Sequence, residues 1–592
     1  NQVSTSFLRN GFIHIKLAKH FNKKNLERNM KKELKLVKNE GIKESSNGLR
    51  GTIHEELMDS ESIKFTGDNQ QVLKFHGIYQ QDDRDKRKAL MKAKLEKDYS
   101  FMIRTKNPGG GNITPEQWLI MDEITSKWAN PTLRITTREC FQFHGIGKKN
   151  LKELVNTLNK NLITSYGACG DIVRNTVASP ISDIREDFSY DAQSLAKEID
   201  KETLAKSKGY YEIWVDGEKI NTKINKDKIE EDSLYKKTYL PRKFKIGVGH
   251  QLDNSIDIYT QDIGILPVID GDKKFFNILV GGGLGSHHRQ SQTFPRLADE
   301  LGMCEEDQVI DVVKGIISIQ RDYGVRTDRK QARMKYLLEN WGVNKFREEL
   351  ELRIGFKLNE FIKKSLTKID NYYGWHKQKQ AGKFYCGIFV ENGRIKDKGS
   401  VKLKSGLAKI IKKYNVETRL TATQDLILVN IDKQNVEGVK EMLAEHNIDT
   451  NERYSNLRLA SMACPALPTC SLAVAEAERF LPSLIDELEH MGLGDEKIKI
   501  RMSGCPNSCS RPPVSEVGLI GATAKKYNIY LGGDFYGTRL NKLFMELVDD
   551  SELAYKISKL INYWKKNKNA EEEPFGDFCN RTDFELLRKE VI

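Results

Sequence analysis

The chain has 592 residues, with 96 Lys and Arg against 83 Asp and Glu and a formal net charge of +13, a length that predicts several structural units rather than one. Mean hydropathy is −0.56 and no run approaches the ~18 apolar residues of a membrane span, so no membrane partner is expected; nine cysteines, an odd number, argue against a disulfide scaffold and for a reducing compartment, taken here as the cytoplasm. The basic excess leaves four readings open: solvated faces, nucleic acid, an acidic protein partner, or an anionic cofactor and substrate.

Residues 1–40 are basic but dominated by Lys, and Glu27, Glu33 and Glu40 interrupt them, unlike an Arg-rich, acid-poor targeting segment. Met30-Lys31-Lys32 fits a natural start, and 1–48 is expected to be an extension, loose in part. A first unit is expected over 49–148, with helical periodicity at 116–128 and 148–160 and a strand pattern in RITTRECFQF (134–143). A larger unit follows over 149–355, with helices at 191–206 and 332–353, strands at 209–215 and 239–248, and the glycine run GGGLG at 281–285. That run lacks GxGxxG spacing, so close backbone packing is favoured over a dinucleotide site. The lysine-rich stretch near 356–380 reads as a junction. Beyond it, 356–440 holds strands at 383–390 and 424–430, and 441–592 holds helices at 471–490 and 552–566. Helices and strands mix without strict alternation, which predicts an α+β fold.

Two echoes cross this plan. RITTRECFQF (134–143) resembles RLTATQDLIL (419–428), and ILVGGGLG (278–285) resembles IYLGGDFYG (529–537). Each pair is a strand pattern running into a turn. Their separation is far too long for a solenoid repeat and predicts two similar halves.

The sharpest chemical signal is four cysteines, Cys464, Cys470, Cys505 and Cys509, in SMACPALPTC and SGCPNSCSRP. Four thiolates can hold a [4Fe–4S] cluster, one per iron. Structural zinc is the rival, but its ligand pairs stand two to four residues apart, so the wider first gap favours iron and sulfur. Pro465 and Pro506 each follow a cysteine and fix an abrupt local turn. The remaining cysteines, Cys140, Cys304, Cys386 and Cys579, have no assigned role, and Cys169 reads as a small core residue near the expected site.

The cysteine passages resemble the siroheme- and [4Fe–4S]-containing sulfite and nitrite reductases. The likeness runs from about residue 45 to the end, through LRGTIHEEL (49–57), FHGIYQQDDRDKR (75–87), LRITTRECFQFHGI (133–146), YLPRKFKI (239–246), NILVGGGLG (277–285), RDYGVRTDRKQARMKY (321–336) and FGDF (575–578). It is closest to the haemoprotein (beta) subunits of the sulfite reductases. The resemblance implies two pseudo-symmetric halves, each a ferredoxin-like unit plus a larger α/β unit, with siroheme and cluster at their junction. It implies that Cys464, Cys470, Cys505 and Cys509 ligate the cluster, and that Cys509 also reaches the siroheme iron.

It further implies an anion site. Lys243 and Lys245 are i and i+2; on a strand they share one face with Phe244 opposite, and they would repel each other unless an anion sat between them. With Arg104 and Arg174 they are expected to hold sulfite and supply protons. Arg134, Thr136, Arg138, Gln142, His144 and Arg333 are expected to hold siroheme carboxylates, and Asn507 to position the loop. The implied reaction is reduction of sulfite to sulfide. Without a flavin or NADPH motif, electrons must come from an NADPH-dependent flavoprotein subunit or a ferredoxin. The alternatives are a nitrite reductase of the same family and, from another class, a basic zinc-structured nucleic-acid-binding protein; the resemblance itself implies no nucleic-acid partner.

Overall fold

The computed structural model describes residues 35–591 apart from 208–212, 216–217, 221–231, 272, 289, 364–365, 367, 370–371 and 451–452. Its architecture is α+β, and the two halves carry the same topology. In the first half the strands Ile78–Asp82, Tyr99–Arg104, Leu133–Ile135 and Phe141–Ile146 form an antiparallel sheet in the spatial order first, second, fourth, third. Helix Pro115–Trp128 joins the second strand to the third, and helix Leu151–Lys160 follows the fourth. In the second half Gly374–Lys377, Lys383–Ile388, Glu417–Leu420 and Leu426–Asp432 repeat that order, with helices Leu403–Tyr414 and Val436–Glu445 in the same places.

The larger units repeat as well. Val177–Ala178, Ile246–Val248, Ile263–Asp270, Lys273–Val280 and Asp299–Glu305 lie in sequential order, the first two pairings parallel and the last two antiparallel. Met462–Ala463, Ile500–Ser503, Val517–Thr523, Lys526–Leu531 and Lys542–Asp549 copy the arrangement. The first echo occupies the third strand, turn and fourth strand of each smaller sheet. The second is the end of the fourth strand of each larger sheet.

The halves are interlocked. The short strand Arg394–Ile395 of the second half pairs with Leu133–Ile135 of the first, and Ile113 of the first bridges Thr418 of the second. Leu133 and Thr418 are the residues preceding the two copies of the first echo. One apolar core serves both smaller sheets: Trp118, Phe141 and Phe143 pack in the same cluster as Cys386, Ile388 and Leu426.

Several local expectations are corrected. The helix expected at 332–353 is two, Met334–Trp341 and Val343–Ile354, broken at Gly342 with φ +75°. Of 471–490 only Leu481–His490 is helical; the preceding residues fold back on the cysteine loops, Val474 and Ala475 both donating to Gly504 O. The helix expected at 191–206 ends at Glu202. Of 239–248 only Ile246–Val248 is a regular strand, because Pro241 lacks an amide and Tyr239 has φ +52°. The strand expected at 209–215 is described only at Ile213–Val215, and 209–212 lie outside the described residues, as do 1–34 of the expected extension. From Lys38 the extension is not loose: helix Lys38–Ser45 buries Glu40, Ile42 and Lys43.

Candidate active site

Two parallel strands deliver the first and third cysteines together. Met462–Ala463 and Ile500–Ser503 are hydrogen-bonded neighbours, with Ala463 opposite Met502, so the chain leaves both at one edge, at Cys464 and just before Cys505. Cys464 N donates to Met502 O at 3.1 Å, and Cys470 N to Ala466 O at 2.8 Å, which folds the CPALPTC loop back on itself. Gly504 has no alternative at the crossing: a Cβ there would stand 2.5 Å from Ala475 O and 2.6 Å from Ala466 Cβ. Gly504 N points at Cys464 Sγ (3.4 Å) and Asn507 Nδ2 at Cys505 Sγ (3.5 Å). Burial, then the neighbouring Cys509, raises the thiols of Cys464 and Cys470, and raises Cys505 to about 11. Four thiols thus share one neighbourhood in which thiolates repel, and a bound cation is what would reverse that preference. Among the described residues no group of three or more His, Cys, Asp or Glu is placed to hold a metal ion as it stands; the four cysteines are neighbours rather than a closed ligand set. Cys509 is the one exposed thiol of the four.

Of the cations expected from the sequence, Arg104 and Lys245 lie close enough to Cys509 to feel its charge, and Lys243 lies beside Lys245 and Arg174. Phe244 bridges Val173, donates its amide to Ile172 O, and is 1% exposed in the core. Lys243 and Lys245 therefore turn to the other face, as the alternation predicts, although the strand is irregular there. Burial, then the charges of Arg242, Arg174, Lys245 and Arg333, pushes the Lys243 amine well below its usual range. Burial, then Arg138 and Arg333, brings Lys245 down to about 7, while Cys509 acts in the opposite sense. Cys509 also acts on Arg104. With the Gln142 amide oxygen turned toward it, Arg104 Nε donates to Gln142 at 3.0 Å. Arg174 makes only long contacts, 3.4 and 3.2 Å, to Gly170 O.

Three cations missed by sequence reasoning join this set. Arg242 is lowered to about 10 by burial and by Arg329, Arg174 and Arg333, and Lys74 to about 8 by burial and by Arg329, Arg242 and Arg174. Arg242 is adjacent to the lysines in PRKFK and could have been found there; Lys74 and Arg329 are distant in sequence and carried no local signal. The set is answered by Asp171, held bidentately by Arg329, by Asp262, held by Arg333 Nη2 (2.8 Å) and Lys245 N (2.8 Å), and by Glu40, whose charge acts on Arg329. So many buried cations around so few acids form a cluster whose charge a polyanion would offset.

The echo residues divide. Gln142 and His144 are on one face of the strand Phe141–Ile146. His144 is buried and neither ring nitrogen has a partner; burial, then Arg394, Arg134 and Arg104, keeps it neutral, well below the usual histidine range. Thr136 Oγ1 accepts from Arg138 N at 3.2 Å. Arg138 donates to Gln261 Oε1 (2.6 Å) and Ile246 O (3.0 Å), and its Nε is unpartnered. Arg134 is fully engaged elsewhere: Nε to Glu478 at 2.9 Å, Nη1 to Ile135 O and Nη2 to Ala463 O. It ties the first half to the residue preceding Cys464 rather than offering a free donor. Arg333 is likewise committed to Asp262 through Nε and Nη2. The glycine run is a packing device: a Cβ on Gly285 would stand 3.4 Å from Asn507 O, and Ser286 N donates to Pro506 O at 2.9 Å.

Two family models fit the chain: the nitrite and sulphite reductase 4Fe-4S domain over 169–358 and 455–592, and the nitrite/sulfite reductase ferredoxin-like half domain over 94–161 and 376–446. The sulfite reductase [NADPH] hemoprotein beta-component of Geobacillus thermodenitrificans is 42% identical over 92% of this chain and 95% of its own. The chain belongs to the nitrite and sulfite reductase family. The corresponding protein of Staphylococcus haemolyticus is 42% identical over 92% of this chain and 94% of its own. The sulfite reductase [NADPH] subunit beta of Schizosaccharomyces pombe is 42% identical over 93% of this chain, which spans 38% of that longer protein. The structure of Mycobacterium tuberculosis NirA matches in fold, with a TM-score of 0.74 at 23% identity over 93% of this chain and 98% of that one. The family's cofactors are siroheme and a [4Fe–4S] cluster. The residues here suit both: four neighbouring thiols that act on one another, an exposed Cys509 that acts on Arg104 and Lys245, and, among the described residues, buried ring nitrogens of His144 and Nε of Arg138 without partners. Among the described residues no helix is long and apolar enough to cross a membrane.

Proposed function

We propose that this chain is the haemoprotein component of a sulfite reductase and reduces sulfite to sulfide and three waters, with Cys464, Cys470, Cys505 and Cys509 ligating the cluster and Cys509 shared with the siroheme iron. The observation that carries the reading is the unbalanced set Arg104, Arg174, Arg242, Lys243 and Lys245 beside the one exposed thiol of the four. When bound, the two cofactors would supply single electrons and an iron that takes the substrate.

The protein side chains do the rest. Arg174, with few internal contacts, and Arg104, oriented by Gln142, present forked donors to the oxyanion. Lys243 and Lys245 supply charge and protons as water leaves; an amine near 7 is well matched to proton transfer at neutral pH. His144 Nδ1 or Nε2, Arg138 Nε and Thr136 would hold carboxylates of the macrocycle, Arg134 and Arg333 act through the Cys464 strand and Asp262, and Asn507 steadies the CPN turn. Nine free thiols suit a reducing compartment, the cytoplasm. The relatives' names carry NADPH, which favours a flavoprotein subunit as donor over ferredoxin.

The purified protein, reduced with methyl viologen, is expected to contain iron and siroheme and to form sulfide faster than it forms ammonia from nitrite. Faster ammonia formation would assign the nitrite branch instead. Colourless protein without iron would end both readings.

A further inference from the structure

The backbone that leads into the two lysines is gripped from behind. Four consecutive carbonyls, Thr238 to Pro241, each accept from a cation. Arg326 donates to Thr238 O (Nη1, 3.4 Å) and Tyr239 O (Nη2, 2.6 Å), Lys43 Nζ to Leu240 O (2.7 Å), and Arg329 Nη1 to Pro241 O (3.4 Å). Two buried acids hold these cations. Glu40 bonds both Arg326 and Lys43, the latter at 2.6 Å, and Asp171 takes Arg329 bidentately with Lys43 4.0 Å away. Asp171 O also accepts Leu240 N at 2.9 Å. Glu40 and Lys43 are 1% and 3% exposed, too buried for a solvated ion pair of an ordinary helix face.

Local preference does not explain the segment. Tyr239 sits at φ +52°, a conformation a bulky residue avoids, and Pro241 cannot extend a sheet. Phe244 is fixed on the far side by its bridge to Val173 and its bond to Ile172 O; the grip fixes the near side, where the chain enters Arg242, Lys243 and Lys245, cations that repel one another.

We propose that Glu40, Lys43 and Arg326, with Arg329, are positioning residues for the substrate lysines: they pin the Thr238–Pro241 backbone so that Lys243 and Lys245 keep facing the anion against their mutual repulsion. The helix Lys38–Ser45 is then part of the active-site assembly. The role given to the two lysines rests on the function proposed above; the grip itself does not.

The test uses the holoenzyme with methyl viologen as donor. Lys43→Met is expected to raise KM for sulfite about tenfold, the size of one lost charge-assisted hydrogen bond, with kcat changed less than about twofold. Sulfite titration followed in the visible spectrum should weaken equally, and hydrogen exchange of amides 242–248 should accelerate. Lys43→Arg should restore both. Ile42→Ala, in the apolar core on the same helix, is the control: it should lower Tm and leave KM and the 242–248 exchange in place. The proposal is overturned if Lys43→Met leaves exchange and sulfite affinity unchanged, or if Ile42→Ala shifts KM as much at an equal loss of Tm. If the enzyme reduces nitrite instead, the same comparison is read with nitrite. If it reduces neither, only the proposed function falls, and the exchange data alone decide the grip.

Discussion

Among single residues, two are central to the function proposed above. Lys245 is held near 7 by burial and by Arg138 and Arg333, so it is charged below that pH and neutral above it. Anion capture should weaken as pH rises through about 7. Lys245→Arg, charged throughout, should move that fall in kcat/KM to higher pH; a profile identical to wild type would show that another group titrates. Cys509 is the second. Cys509→Ser is expected to abolish the coupled siroheme–cluster spectrum and sulfite reduction together, and an unchanged coupled spectrum would remove Cys509 from the bridging role. A CxxxC turn and a lysine pair two apart are local patterns and single out both residues in the sequence, while the roles expected of them came from the family resemblance. The engagement of Arg134 and Arg333 was not legible there, since their acids, Glu478 and Asp262, lie 344 and 71 residues away.

At the scale of elements, loops are held by ion pairs that cross the chain. Arg84 Nη1 reaches the carbonyls of Cys470 (3.0 Å), Ser471 (3.0 Å) and Ala473 (3.1 Å). Arg84→Ala should therefore leave the fold intact but speed loss of cluster iron to a chelator, followed by iron content against time; equal rates would refute the clamp. Glu478 joins Arg134 to Arg394. Burial alone would raise its carboxyl, but those two charges hold it below the usual range. Its stabilisation is thus present above the unfolded carboxyl value of about 4.3 and is lost as pH falls through the lower folded value. Glu478→Gln should cost about 3 kcal/mol at neutral pH by leaving buried cations unpaired, and the Tm gap to wild type should close below about pH 4. Elements with clean periodicity, such as Pro115–Trp128 and Leu553–Asn567, were readable in advance. The run at 471–490 misled because apolar spacing that suits a helix there serves a loop wrapped around the thiols instead.

For the whole molecule, the exchanged strands and the shared core predict cooperativity. Arg419 repeats the crossing role of Arg134 in the other direction, donating to Asn112 Oδ1 (2.7 Å), Pro180 O (2.7 Å) and Asp183 Oδ2 (2.8 Å) of the first half. Residues 35–355 expressed alone are expected to be insoluble and to be rescued by co-expression with 356–592, and the intact chain to melt in a single calorimetric transition. Two separated transitions, with a soluble first half, would show that the interlock contributes little.

The sequence by itself determined the α+β class and the doubled plan, and it set four cysteines apart as candidate ligands, because the echoes and the cysteine spacing are properties of contiguous text. Only the tertiary structure decided which cations are spent on buried acids and carbonyls, and that the helix Lys38–Ser45 packs against the backbone leading to Lys243. Those outcomes depend on charges meeting across hundreds of residues, where Coulomb attraction and desolvation are set by spatial neighbours and leave no mark on local sequence.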